Sequence, residues 1–121
     1  MPPAAPAPEP VIVVSDRGRV LRLPVREVLY LKAELKYVTL RTAAHTHVLD
    51  DALTDLELRL GGGFIRIHRN ALVAVRAIRA LELRGAETDG WSVRVAPLDE
   101  WLAVSRRQVA AVRAALAQGA G

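Results

Sequence analysis

Two short stretches of this 121-residue chain combine residue types suited to anion and base recognition. The first is Phe64-Ile-Arg-Ile-His-Arg-Asn-Ala-Leu-Val73, where His68, Arg69 and Asn70 break an apolar run. Polar residues inside such a run must face out of the core or be paired within it. Arg69 and Asn70 suit phosphate oxygens and base edges. His68 reads as a hydrogen-bonding residue that shapes its loop, and a plain loop is the alternative for the whole interruption. The second stretch is Leu102-Ala-Val-Ser-Arg-Arg107. Ser105, with Gln108 three residues on, predicts a capping box at a helix start. Such a terminus presents free N–H groups and a positive dipole end, which together attract anions. Arg106 and Arg107 in its first turn cost helix stability, roughly 0.3–1 kcal/mol each when exposed. An anionic partner would offset that cost, and Ser105 can donate to a phosphate. The alternative is that Asp99 or Glu100 pairs with one arginine internally, leaving the other free.

Other chemistry is poorly supported. No cysteine is present, which excludes disulfide scaffolds, thiol catalysis and Cys-rich zinc sites. No nucleophile motif accompanies the three histidines, so no catalytic triad can be picked out. Gly61-Gly62-Gly63 lacks a following Lys-Ser/Thr and comes after a helical pattern, so it reads as a helix stop rather than a phosphate loop. His45-x-His47 puts two imidazoles on one face of a strand, but two ligands do not make a metal site and no third lies near. An exposed polar turn is the alternative there. We therefore expect no enzyme, no cofactor and no metal.

Charge points the same way as the two stretches. The formal net charge is +4, from 17 basic and 13 acidic residues. Residues 1–65 carry eight of each sign, whereas residues 66–121 carry nine basic and five acidic residues, all nine being arginine. Arginine presents a planar fork of donors that matches phosphate and guanine two bonds at a time. An arginine-rich half makes nucleic acid the default partner. A G+C-rich genome, replacing Lys by Arg throughout, gives the same composition without that meaning.

The elements that must hold these residues are mostly strands. Residues 1–10, MPPAAPAPEP, hold five of the seven prolines and read as a Pro/Ala-rich tail or linker. Val11–Ser15 and Val20–Leu23 flank the turn chemistry of Asp16-Arg17-Gly18-Arg19 and predict a hairpin. One helical turn is expected at Pro24–Glu27. Strands follow at Leu29–Ala33, Tyr37–Arg41 and Thr46–Leu49. Leu53, Leu56 and Leu60 then recur at spacings of three and four, the mark of a short helix over 51–60. Further strands are expected at Phe64–Ile67, Ala71–Val75, Ile78–Arg84, Trp91–Val95 and Trp101–Val104, with a tight turn at Asp89-Gly90. Val109, Val112 and Leu116 give a closing helix its apolar stripe. The expectation is a mainly β, antiparallel domain with one or two short helices over 11–117, and a flexible C-terminus at 118–121. No apolar run approaches the roughly 18 residues of a membrane span, and the N-terminus lacks a signal-peptide pattern. We expect a cytoplasmic protein.

From Val11 to Leu116 the chain resembles the LytTR family of bacterial DNA-binding domains, the output domains of LytR- and AgrA-type response regulators. Four ordered blocks carry the resemblance. They are Val28-Leu-Tyr-Leu-Lys-Ala-Glu-Leu-Lys-Tyr-Val38, the Leu53–Leu60 helix, Phe64–Val73 (similar to "F.RvHRs.lVn") and Val104-Ser-Arg-Arg107 (similar to "vSRR"). Asn70 stands where the family commonly has serine, and Ala74 where it commonly has asparagine.

The resemblance implies an elongated β domain of about ten strands in several small antiparallel sheets, with loops rather than a recognition helix entering DNA. It implies base contacts in successive major grooves from the Glu34–Tyr37 connection and the Ser-Arg-Arg turn. The His-Arg-Asn loop would lie against the minor groove between them. Carried over by position, Arg107, Arg69, Lys36 and Tyr37 are the candidate base contacts. Arg106, Ser105, Arg66, His68 and Asn70 are candidates for phosphate contact or loop shaping. Arg76 is not expected to matter for binding. The function implied is sequence-specific binding of double-stranded DNA by a transcriptional regulator, on paired direct repeats, with a homodimer on DNA and a sensor or membrane inhibitor as further partners. A β-rich module that binds a membrane or sensor protein is the alternative. Residues 1–10 are either the stub of an interdomain linker or the start of a stand-alone regulator.

Overall fold

A computed structural model describes residues 10–84 and 90–119. The remainder of the Pro/Ala-rich stretch, Asp89 of the expected tight turn, and residues 120–121 lie outside them. The β-branched run at the start forms β1 (Val11–Asp16), which turns through Arg17-Gly18 into β2 (Arg19–Pro24). Both turn residues have positive φ, 52° and 85°. That is the turn whose twist matches a two-residue hairpin, and glycine takes it without strain. A 3-10 turn at Val25–Glu27 leads to β3 (Tyr30–Ala33), β4 (Val38–Arg41) and β5 (Thr46–Leu49).

The leucine stripe then forms α1 (Leu53–Leu60), two residues shorter at its start than its pattern predicts. Its N-cap position is Ala52, which offers no capping side chain. Asp51 is engaged elsewhere, accepting from the Ser15 backbone N–H at 3.1 Å and pairing with Arg59 at 3.2 Å. Gly61, at φ 77°, closes the helix as expected of the glycine run. β6 (Phe64–His68), β7 (Ala71–Ala74), β8 (Ile78–Leu83), β9 (Trp91–Val95) and β10 (Glu100–Ala103) follow.

The ten strands of the described residues pair antiparallel in two sheets. One has seven strands in the order β2-β1-β5-β4-β3-β7-β6, the other three in the order β10-β9-β8. The several small sheets implied by the resemblance are thus two, because β1 and β5 join what would be separate hairpins. They do so through a single residue pair, Asp16–Leu49. Side chains reinforce it: Asp16, 5% exposed, lies 3.0 Å from Nδ1 of His47. The hydrogen bond with His47 holds the Asp16 carboxyl below its ordinary pKa. His47 is therefore a structural partner, and the described residues contain no group of three or more His, Cys, Asp or Glu placed to hold a metal.

Two apolar cores lie on opposite faces of the central strands. α1 packs Leu53, Leu56 and Leu60 with Ile12, Val14, Leu31, Leu40, Leu49 and Leu72. On the other side, Ile67 and Val73 pack with Val93, Val95 and Leu102 of the small sheet and with Val112. β7 lies between the two and is buried along its whole length, which is why its sequence is continuously apolar rather than alternating.

The chain ends in α2 (Val109–Gly119), reaching two residues into the expected flexible tail. Its start differs from the expected capping box. The Ser105 hydroxyl makes no cap; a 3-10 turn, Arg106–Gln108, precedes α2 instead. The Gln108 N–H closes onto the Ser105 carbonyl at 2.9 Å, and the Ser105 N–H is drawn to the Ile67 carbonyl at 2.8 Å. Arg106 and Arg107 accordingly sit in that turn and not in the first turn of an α-helix. No helix of the described residues is long and apolar enough to cross a membrane.

Candidate nucleic-acid interface

Three turns meet at the end of the central strands. The β3–β4 connection, Glu34–Tyr37, is closed by the Glu34 N–H donating to the Tyr37 carbonyl at 2.7 Å. Just before it, the Ala33 N–H donates to the Asn70 carbonyl at 2.7 Å, which fixes this hairpin against the His68–Asn70 turn. The Ser105–Ile67 bond then fixes the Ser-Arg-Arg turn to the end of β6. A bulge makes that last bond available. The pairing of β6 with β7 slips between Arg66 and His68, so Ile67 has no partner in the ladder. Bulges of this kind redirect backbone groups at sheet ends. Sequence separation thus becomes adjacency: residues 34–37, 68–70 and 105–107 form one connected rim.

The middle turn is braced from within. Arg66 donates through Nη1 to the Arg69 carbonyl at 2.5 Å and through Nη2 to Oε1 of Glu57 at 2.7 Å. Nδ1 of His68 accepts a long hydrogen bond, 3.5 Å, from the Asn70 N–H. Both side chains therefore hold the turn, while the Arg69 side chain is exposed. Lys36, Tyr37, Arg106 and Arg107 are exposed as well, and Ser105 and Asn70 are half-buried.

The surroundings sort the arginines of the basic half. Arg66 is taken by Glu57, Arg94 faces Asp99 at 3.5 Å, and Arg79 donates to the Arg76 carbonyl at 3.2 Å. Arg76 donates to the carbonyls of Val25, Arg26 and Val28, and its burial lowers its pKa. Arg84 lies 3.8 Å over the Trp101 ring and Arg113 lies 5.6 Å from that of Trp91. Arg106 has a partner too. Among the described residues, Arg69 and Arg107 are the two arginines of residues 66–121 whose guanidinium groups have none. The acids nearest the last turn in sequence are committed elsewhere. Asp99 faces Arg94, and Glu100 accepts from the Tyr30 hydroxyl at 2.7 Å. Burial, and then the Glu100 hydrogen bond, push the Tyr30 phenol up to about 12.

Sequence reasoning did not single out the Arg66–Glu57 brace, because Glu57 lies on α1 and no local spacing links it to β6. It also passed over Lys32 and Trp101, which line a hollow of about 160 Å³ with His68 and Asn70. For Lys32 a signal existed. Leu31 packs in the core beneath α1, so strand alternation puts Lys32 on the other face.

A family model described as the LytTr DNA-binding domain matches residues 18–117. The chain belongs to this family. The LytTr domain is 40% identical to the positive alginate biosynthesis regulatory protein of Pseudomonas aeruginosa strain PAO1, over 93% of this chain and 46% of that protein. It therefore spans about half the length of that relative. Its fold is similar to a LytTr DNA-binding domain from Bacillus cereus, with a TM-score of 0.73 at 24% identity, covering 89% of this chain and 97% of the other. The family is one of DNA-binding domains, not of enzymes, and the residue blocks read from the sequence fall within the matched region.

Proposed function

We propose that this LytTr domain binds double-stranded DNA in a sequence-specific way and so regulates transcription in the bacterial cytoplasm. Arg107 and Arg69 read bases, Lys36 and Tyr37 make the first groove contact, and Arg106 and Ser105 meet phosphates. Arg66, His68 and Asn70 shape the middle turn. One observation carries this reading: among the described residues, the two partnerless arginines of residues 66–121 stand on turns anchored at one strand end, the Arg69 turn continuing β6 and the Arg107 turn hydrogen-bonded to its Ile67. An unpaired guanidinium on a rigid turn pays no ion-pair loss when it meets DNA. The turns replace a recognition helix, with the central turn facing the minor groove between two major-groove contacts. The name of the Pseudomonas relative supports a regulatory role. Two copies on paired direct repeats, and control by a sensor or membrane inhibitor, complete the proposal.

Titration of mixed-sequence duplex across a salt series tests it. Binding should weaken with salt at a slope of about −0.9 per phosphate neutralised. Selection from a random duplex library should then yield an enriched motif, and its spacing would report on repeats. Failure to shift any duplex at low salt would remove the DNA-binding reading and favour the module that binds only protein partners.

A further inference from the structure

The tip of the β3–β4 hairpin carries a side chain that the arginine-based reading does not use. Ala33 and Val38 are the last paired residues of the two strands, and Glu34 and Tyr37 are bridged by a backbone bond. Leu35 and Lys36 therefore form a two-residue tip on a hairpin that is itself tied to the middle turn through Asn70. Leu35 has a relative exposure of 103%: the whole side chain stands in water.

An exposed leucine alone carries little meaning, since single apolar residues are common on surfaces. Its position gives it meaning. A protein-docking surface is a contiguous apolar patch. Around Leu35 the tip is instead the charged, exposed Glu34 and Lys36 and the hydroxyl-bearing ring of Tyr37, which is 43% exposed against 103% for Leu35. One aliphatic group on a rigid tip, set among charged and hydroxyl-bearing ones, fits a surface that is polar with isolated apolar points. The major groove of DNA is such a surface. Its one apolar group per A·T pair is the thymine 5-methyl, beside donors and acceptors on every base edge.

We infer that Leu35 packs against a thymine methyl in the major groove and makes this tip a reader of thymine. The inference rests on the Glu34–Tyr37 tip entering a major groove, as in the proposed function. Lys36 beside it brings charge to the groove, and Leu35 supplies choice without charge. Because the leucine contributes no ionic contact, its removal leaves the salt dependence of binding unchanged.

The test uses the duplex selected from a random library, prepared with each thymine replaced in turn by deoxyuridine, which removes only the methyl. The parent chain and Leu35→Ala are titrated against each duplex, and thermal melting verifies that the variant is folded. A fully exposed side chain should leave the melting temperature unchanged. The parent should lose about fourfold in affinity at one thymine of each site, the worth of one buried methyl. Leu35→Ala should bind the thymine duplex on the order of tenfold more weakly and no longer distinguish it from the deoxyuridine duplex. If the parent binds the selected duplex but treats thymine and deoxyuridine alike at every position, the inference is overturned and DNA binding stands. A Leu35→Ala variant that weakens both duplexes equally overturns it too. If no duplex is bound or enriched, the DNA-binding reading itself falls and this one with it.

Discussion

Replacing Arg66 by methionine separates two roles for one arginine. The substitution keeps the apolar stem and removes the guanidinium. Lost with it are the 2.5 Å bond to the Arg69 carbonyl and the 2.7 Å bond to Glu57. A shielded hydrogen bond to a charged group contributes about 1.5–3 kcal/mol, and an exposed ion pair about 0.2–1 kcal/mol. Arg66 is 24% exposed and Glu57 38%, so the brace falls between these limits. We expect Arg66→Met to destabilise the fold by about 1–2 kcal/mol, lowering the melting temperature of a domain this size by roughly 5–10 °C. The turn must then be ordered on binding, at about 1–2 kcal/mol for a residue's backbone, so affinity for the selected duplex should fall about tenfold. The salt slope should not change, because no phosphate contact is lost. Scanning calorimetry and fluorescence anisotropy across a salt series measure all three quantities. A flattening of the slope by about 0.9 with an unchanged melting temperature would mean that Arg66 neutralises a phosphate, and the bracing argument would be wrong. Tighter binding by Glu57→Gln would point the same way, since a brace should loosen when its acid is removed.

Arg107→Ala should cost about 1–3 kcal/mol on the selected duplex and flatten discrimination at one base, read by competition with single-base variants; equal binding of specific and random duplexes by parent and variant would exclude Arg107 as a reader. Arg76→Ala strips a shared donor from the carbonyls of Val25, Arg26 and Val28. It should lower stability by about 1–2 kcal/mol in denaturant melts and leave the salt slope of DNA binding as it was. Tyr30 joins the two sheets through Glu100, and its phenol is pushed up from the ordinary 10.0 to about 12 by burial and then by that hydrogen bond. Its raised pKa contributes stability in full below about pH 10 and loses it as pH rises through the folded value. Tyr30→Phe should therefore be less stable at neutral pH by about 1 kcal/mol, discounted for partial exposure, and should show less further loss under alkaline conditions than the parent.

Local physics explains what could be read from the residues alone. Alternation, leucine spacing and turn residues mark nearly every strand and both helices, because each depends on a few neighbouring side chains. Arg69 and Arg107 stand out by type and by the runs they interrupt. Boundaries shifted where a polar group had a distant partner: the Asp51 carboxylate left the start of α1 for Ser15 and Arg59, and the Ser105 backbone N–H went to Ile67. Such competition between near and far hydrogen bonds leaves no trace in local spacing.

By itself the sequence determined the antiparallel β character, the two leucine- and valine-striped helices, and an arginine-rich second half. These follow from periodicity and composition, which act at short range. Tertiary structure alone decided which arginines remain available. Seven of the nine in that half find a carboxylate, a carbonyl, an aromatic ring or another partner, and only folding brings those groups within reach. Folding also aligned three turns separated by tens of residues, through a bulge and two backbone bonds whose energies depend on distance in space and not along the chain.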